Sequence, residues 1–80
     1  MVYELKPSNG QKSFYGKAQV ELNEHGMRTL YSYGTKIMSI DRYGEMARFW
    51  DGWTATTGKH IKAFSGLDKK GYSNLYLFNE

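Results

Sequence analysis

The segment Trp53-Thr54-Ala55-Thr56-Thr57-Gly58-Lys59-His60-Ile61-Lys62-Ala63-Phe64 has the only convincing helical pattern in this chain. Thr57, Ile61 and Phe64 lie at i, i+4 and i+7, which is one face of a helix, and His60 lies beside them. Thr54 or Thr56 can accept a backbone N–H bond as the N-cap, and Gly66 fits the left-handed position after the last turn. Gly58, inside the helix, costs about 1 kcal/mol relative to Ala, so we expect close packing there.

The segments on either side of this helix alternate in the way that strands do. Gly34 interrupts the alternation of residues 28–40, and we expect one long bent strand rather than two, because no turn cluster separates the halves. Turns are predicted at Pro7-Ser8-Asn9-Gly10, Asn23-Glu24-His25-Gly26 and Asp41-Arg42-Tyr43-Gly44, and a polar loop at residues 67–71. The predicted strands are residues 1–6 at an edge, 14–23, 28–40, 45–51 and 72–78.

This order of elements predicts an α+β fold, with an antiparallel sheet of about four to five strands and one helix packed on one face. Eighty residues are enough for one domain, residues 1–80, with one core. The absence of cysteine excludes disulfides and thiolate metal sites. No apolar run is long enough to span a bilayer, and residues 1–6 do not resemble a signal peptide. We therefore expect a soluble cytoplasmic protein.

The sequence carries no motif that is typical of an enzyme. His25 and His60 are 35 residues apart, and no carboxylate has the spacing of a metal ligand or of an acid–base partner to them. His60 is instead expected to be a boundary histidine that bonds a backbone carbonyl or a hydroxyl group. We expect no catalysis, no metal and no cofactor.

Binding residues are predicted around the turn at residues 41–44 and on the following strand. If Ala47 and Phe49 face the helix, then Arg48 and Trp50 lie on the uncovered sheet face, where they have the composition of a protein–protein hot spot. Such a surface also suits the stacking of single-stranded bases. The alternative is that Arg48 only covers an aromatic ring as a cation–π pair. The predicted contact residues are Arg42, Tyr43, Arg48 and Trp50, with Lys59 and Lys62 as a second, basic surface.

At Leu30-Tyr31-Ser32-Tyr33-Gly34-Thr35 and at residues 53–64 the chain resembles a family of short uncharacterised proteins carried by phages and plasmids of bacteria. In that family, L-x-S-Y-x-T-x-V precedes aromatic-S-x-T-T-x-x-H-I-x-x-F by about this distance. The resemblance covers residues 30–64 and departs at Thr54, where Ser is usual, and at Gly58. It implies a mobile element in a bacterial host. Small phage proteins without cysteine are often stoichiometric inhibitors, of which anti-CRISPR proteins are the best-known group, so size and setting add a CRISPR effector to the candidate targets.

We therefore expect a phage-type accessory protein that binds a host protein or ribonucleoprotein in the bacterial cytoplasm, with no membrane contact. A double substitution, Arg48→Ala with Trp50→Ala, is expected to abolish binding and leave the fold intact. Two alternatives stay open. One is a small basic nucleic-acid-binding module: the net charge of +3 is only mildly basic and most Lys and Arg residues are scattered singly, which also fits a solubilising surface. The other is a homodimer in which a last strand at residues 72–78 pairs between two chains.

Overall fold

One open sheet of six strands and two short helices make up the part of the chain that the computed structural model describes, residues 1–7 and 13–78. The strands lie in chain order, β1 to β6. Their bounds are Val2–Glu4 (β1), Ala18–Leu22 (β2), Arg28–Ser32 (β3), Thr35–Ile40 (β4), Met46–Arg48 (β5) and Tyr76–Leu77 (β6). The helices are Ala55–Ser65 (α1) and Lys69–Ser73 (α2). The α+β class is as predicted.

The sheet is mixed, which differs from the antiparallel sheet that the sequence predicts. Strands β1 to β5 pair antiparallel, whereas β6 lies parallel to β5. A parallel neighbour requires a long crossover connection, and α1 and α2 together supply it. The predicted single helix and four to five strands are therefore corrected to two helices and six strands among the described residues.

Local capping defines the ends of α1. The Thr54 side chain accepts the N–H of Thr57 at 3.1 Å, and Gly66 at φ 80° donates its N–H to the Lys62 carbonyl. Thr54 is one of the two predicted N-cap residues, and Gly66 ends the helix as predicted. The close packing expected at Gly58 is also present, because a Cβ built there would lie 2.5 Å from Cζ2 of Trp53.

The two predicted turns that fall within the described residues are formed by short polar side chains. Asn23 Oδ1 accepts the N–H groups of His25 and Met27. Asp41 Oδ1 accepts those of Tyr43 and Glu45 in the same way. The turn predicted at residues 7–10 lies largely outside the described residues, which stop at Pro7.

Residues 28–40 form two strands, not one bent strand. Tyr33 and Gly34 both have positive φ, 52° and 80°, as the two central residues of a type I′ hairpin turn do. The chain therefore reverses, and Arg28 pairs with Ile40. The prediction failed because Tyr is an unusual residue at a left-handed position.

The C-terminal segment differs most from its prediction. The expected loop contains α2, whose N-cap Asp68 accepts the N–H of Gly71, and the expected strand is reduced to β6. Tyr72 is buried in α2 because its hydroxyl donates to the carbonyls of Trp50 and Ile37, at 2.7 and 3.2 Å. Its ring joins a core between the sheet and the helices, together with Val20, Leu30, Ile37, Met38, Ile40 and Ile61.

Candidate functional site

The candidate site is the sheet face opposite the helices. Helix α1 contributes Ile61 to the core and α2 contributes Tyr72, so both helices cover the same face of the sheet. No described helix lies over the other face. We call it the open face. The strand register places these side chains of β3 to β6 and just beyond on it, of which Thr29 and Ser39 are buried by their neighbours: Thr29, Tyr31, Lys36, Ser39, Ala47, Phe49, Tyr76 and Phe78.

An aromatic cluster forms one end of the open face. The rings of Phe49 and Phe78 meet edge to face with centroids 5.8 Å apart, and Tyr76 meets Phe78 in the same way at 6.3 Å. The Lys36 ammonium lies 4.2 Å from the centroid of the Phe49 ring, within cation–π range. Tyr76 is 69% exposed and Phe78 48%. Aromatic rings held by one another and left open to solvent are typical of protein interaction sites.

Small side chains form a depression beside this cluster. Ser39 and Ala47 pair across β4 and β5 and, with Tyr76, line an open hollow of about 510 Å³. Asp41 and Glu45 lie at its edge. The open face thus has projecting aromatic rings beside a recess, and a side chain of a partner can fill that recess.

Arg48 lies on the covered face, so the predicted orientation of β5 is wrong. It pairs with Met38 of the core, and its guanidinium donates to the carbonyls of Leu75 and Ser73 at 3.0 and 3.1 Å. It also donates to Asp51 at 2.8 Å. The group is mostly buried and ties β5 to the C-terminal segment.

Trp50 is also on the covered side, where it packs against the core cluster. Phe49 was expected to face the helix, but it lies on the open face. A shift of one residue exchanges the two faces of a strand, and both faces of residues 46–50 carry large apolar groups. The Arg48→Ala, Trp50→Ala variant is therefore expected to be destabilised rather than to keep its fold, because Trp50 packs against the core and Arg48 ties β5 to the C-terminal segment.

Arg42 and Tyr43 are exposed at the turn between β4 and β5. The Arg42 guanidinium donates to the Tyr43 hydroxyl at 2.6 Å and lies 4.8 Å from the centroid of its ring. Lys59 and Lys62 are exposed on α1, on the opposite side of the sheet from the open face. The predicted site residues are therefore distributed over three places, and their role in binding stays a prediction.

His60 is more deeply buried than a boundary residue. Its Nδ1 lies 2.8 Å from the Ser32 hydroxyl, which is the hydroxyl partner that the sequence analysis allowed. Burial lowers the pKa of the imidazole, so His60 is neutral at pH 7.

The described residues contain neither a cluster of metal ligands nor a membrane-spanning helix. No three His, Asp or Glu side chains in residues 1–7 and 13–78 are placed to hold a metal ion. Within the same residues, neither helix has the length and apolar character needed to cross a bilayer.

Comparison with protein families gives a match over residues 3–76, from β1 to the first residue of β6. The chain belongs to DUF8033, a family of unknown function. The match spans most of the open face, including Tyr31, Phe49 and Tyr76. No curated protein and no solved structure matches the chain. Membership of DUF8033 agrees with the resemblance to an uncharacterised family, and the activity has to be inferred from the site itself.

Proposed function

We propose that this protein is a small accessory protein that acts by stoichiometric binding of a host protein or ribonucleoprotein through its open face. The observation that carries the proposal is the aromatic cluster of the exposed Tyr76 and Phe78 and the half-buried Phe49, with Lys36 against it. Aromatic residues are enriched in the centres of protein interfaces, where they lose little conformational entropy and bury a large area.

The distribution of charge favours a protein partner for this face. Residues 55–73, the helical layer, contain four lysines and one aspartate, which accounts for the whole net charge of +3. The remaining residues contain seven Lys/Arg and seven Asp/Glu. A neutral layer with an aromatic centre suits a protein surface, whereas binding to a phosphate backbone requires clustered cations.

The setting narrows the class of partner. The resemblance at residues 30–64 implies a mobile element in a bacterial host, where small binding proteins inhibit host enzymes and defence complexes. A CRISPR effector is one candidate of that class, supported by size and setting, and it forms one arm of the test below.

The test is affinity purification from a bacterial host lysate, with purified CRISPR effectors assayed in parallel. The open-face variant, Tyr76→Ser with Phe78→Ser, removes exposed rings and is expected to keep its melting temperature within a few degrees. We expect it to lose the partner that the unchanged protein captures. Tyr43→Ser is the matched control, because it removes an exposed ring at the turn of residues 41–44.

Retention of the partner by the open-face variant would refute the proposal. Loss through Tyr43→Ser alone would move the contact surface to Arg42 and Tyr43, as the sequence analysis predicts.

A nucleic-acid-binding role for the helical layer is the second candidate, and the confinement of the net charge to that layer favours it. This role predicts an affinity for DNA or RNA that falls steeply as the salt concentration rises, because binding to phosphates releases counterions. Homo-oligomer formation through the sheet edges is less favoured, because the edge strands β1 and β6 have three and two residues. Light scattering distinguishes a monomer from a dimer.

A further inference from the structure

A cleft on the helix side of the molecule is separate from the open face. It lies between residues 14–17, the β3–β4 turn and the first turns of α1, and its volume is about 160 Å³. The lining residues are Phe14, Tyr15, Lys17, Tyr33, Thr56, Lys59 and His60.

Two strained tyrosines flank the cleft. Tyr15 and Tyr33 are the non-glycine residues with positive φ in the described chain, at 55° and 52°, and a bulky residue in this conformation costs about 1–2 kcal/mol. The N–H of Tyr33 donates to the carbonyl of Lys17 at 2.8 Å, which joins the two turns. Each tyrosine is followed by a glycine that also has positive φ, Gly16 and Gly34, as in a type I′ turn. The two turns place the rings, which are 74% and 56% exposed, at the cleft.

His60 forms the floor of the cleft. It is 1% exposed. Its imidazole ring meets the ring of Phe14 edge to face, with 4.5 Å between the ring centroids. Its Nδ1 is bonded to Ser32, whereas Nε2 has no hydrogen-bond partner among the described residues. Because no fully buried side-chain nitrogen or oxygen lacks a partner there, Nε2 keeps a small accessible area, and we infer that this area borders the cleft that His60 lines.

Two buried hydroxyls determine what Nε2 offers. Thr57 Oγ1 lies 3.1 Å from Ser32 Oγ, which in turn lies 2.8 Å from Nδ1 of His60. Thr57 has no other acceptor for its hydroxyl proton among the described residues, so we infer the direction that satisfies both hydroxyl protons: Thr57 donates to Ser32, and Ser32 donates to Nδ1. The opposite direction would leave the Thr57 proton unsatisfied, at a cost of about 1–3 kcal/mol. Neutral His60 therefore carries its proton on Nε2 and presents an N–H donor to the cleft.

The remaining polar groups of the cleft have the same preference for an anion. Among the described lining residues Lys17 and Lys59 are basic and none is acidic, and the Lys17 ammonium lies 5.5 Å from the centroid of the Tyr33 ring. The Glu4 carboxylate lies beside the cleft, where it accepts the N–H of Gly16 at 3.0 Å. An N–H donor and two ammonium groups suit an oxyanion. The volume is close to the 150 Å³ or so that holds a benzene ring, which limits the ligand to a small group.

We propose that this cleft binds the phosphate group of a phosphate monoester, between Lys17, Lys59 and the Nε2–H of His60, with the organic part of the ligand against Tyr15 and Tyr33. The proposal does not depend on the function of the open face. The same chemistry recognises free inorganic phosphate, which lacks the part that stacks on the tyrosines.

The test is a ¹H–¹⁵N NMR titration with phenyl phosphate and, separately, with inorganic phosphate. The cleft variant is Lys17→Gln with Lys59→Gln. The matched control, Lys62→Gln with Lys69→Gln, removes the same charge from the helical layer outside the cleft. We expect phenyl phosphate to shift the signals of Tyr15, Tyr33 and His60, and to bind the cleft variant at least tenfold more weakly than the control.

Equal weakening in the two variants would overturn the proposal, because it would show only general electrostatic attraction. The absence of shifts in the unchanged protein would overturn it as well. Tighter binding of phenyl phosphate than of inorganic phosphate supports the monoester, and equal affinity overturns the assignment of the tyrosines.

The state of His60 gives an independent readout. Two-bond ¹H–¹⁵N spectra of the imidazole are expected to show the proton on Nε2, and that signal is expected to move when phenyl phosphate is added. A proton on Nδ1 would contradict the hydroxyl relay from Thr57 through Ser32, and with it the donor in the cleft.

Discussion

Gly58→Ala is expected to destabilise this protein, although the same change stabilises most helices. Ala is favoured over Gly inside a helix by about 1 kcal/mol. Here the new Cβ would lie 2.5 Å from Cζ2 and 2.8 Å from Cε2 of the Trp53 indole, whereas carbon atoms in contact are normally about 3.5–4.0 Å apart. The indole must therefore move by about 1 Å or more.

The size of the destabilisation depends on how easily the displaced indole ring can move. Trp53 packs against the core cluster and lies 5.8 Å from Tyr72 between ring centroids, so it cannot move without disturbing its neighbours. Overpacking of this kind costs about 1–3 kcal/mol. After the gain in helix propensity, a net loss of about 1 kcal/mol remains, and a domain of this size then melts about 4–8 °C lower.

The assay is thermal and urea unfolding of four proteins: the unchanged chain, Gly58→Ala, Trp53→Ala and the double variant. Trp53→Ala removes the ring that the new methyl group meets. In that background Gly58→Ala is expected to stabilise by about 0.5–1 kcal/mol, because only helix propensity remains. The effect of the same substitution thus changes sign between the two backgrounds.

A stabilising Gly58→Ala in the otherwise unchanged chain would refute this reasoning. Equal effects in the two backgrounds would also refute it, since the double-mutant cycle would then show no coupling between the methyl group and the indole.

Three further predictions concern buried polar groups. Arg48→Ala leaves two carbonyls without their donor and is expected to cost about 2–3 kcal/mol in urea unfolding; a loss below 0.5 kcal/mol would contradict its structural role. Because burial lowers the pKa of His60, the unfolded chain binds the extra proton first, and stability is expected to fall as the pH drops below about 6.5; a flat profile from pH 7 to pH 5 would count against it. Burial raises the pKa of Tyr72 to about 12, so up to about 3 kcal/mol of stability is lost as the pH rises from about 10 to 12, and Tyr72→Phe should remove most of that slope.

The features that the sequence predicts correctly are those whose determining contacts are local. The caps Thr54 and Gly66 and the turn residues Asn23 and Asp41 each bond backbone groups within four positions. Such contacts depend on a few neighbouring residues, so their sequence signals are specific.

The features that the sequence predicts wrongly are those determined by contacts between residues far apart in the chain. Arg48 is held by carbonyls 25 and 27 residues away, and without them an arginine on a strand is expected to face solvent. Tyr72 lies in α2 and not in the predicted last strand, and there its hydroxyl bonds the carbonyls of Ile37 and Trp50. Alternation alone also does not decide between the faces of a strand that is apolar on both.

The open face was predicted as a surface, but its residues were not. Phe49 and Phe78 belong to segments whose orientation follows from the pairing of Met46 and Arg48 with the core residues Ile40 and Met38. Once the pairing of β5 with β4 is known, the alternation of residues 76–78 indicates that Tyr76 and Phe78 lie on the open face.

The most direct test of the central claim is isothermal titration of the captured partner with the purified protein and with its Tyr76→Ser, Phe78→Ser variant. Two interface rings, each contributing about 1.4 kcal/mol or more, predict a loss of affinity of about 100-fold. We expect a stoichiometry of one to one and that loss, at an unchanged fold by circular dichroism. An affinity within threefold of the unchanged protein would contradict the claim that the open face binds the partner.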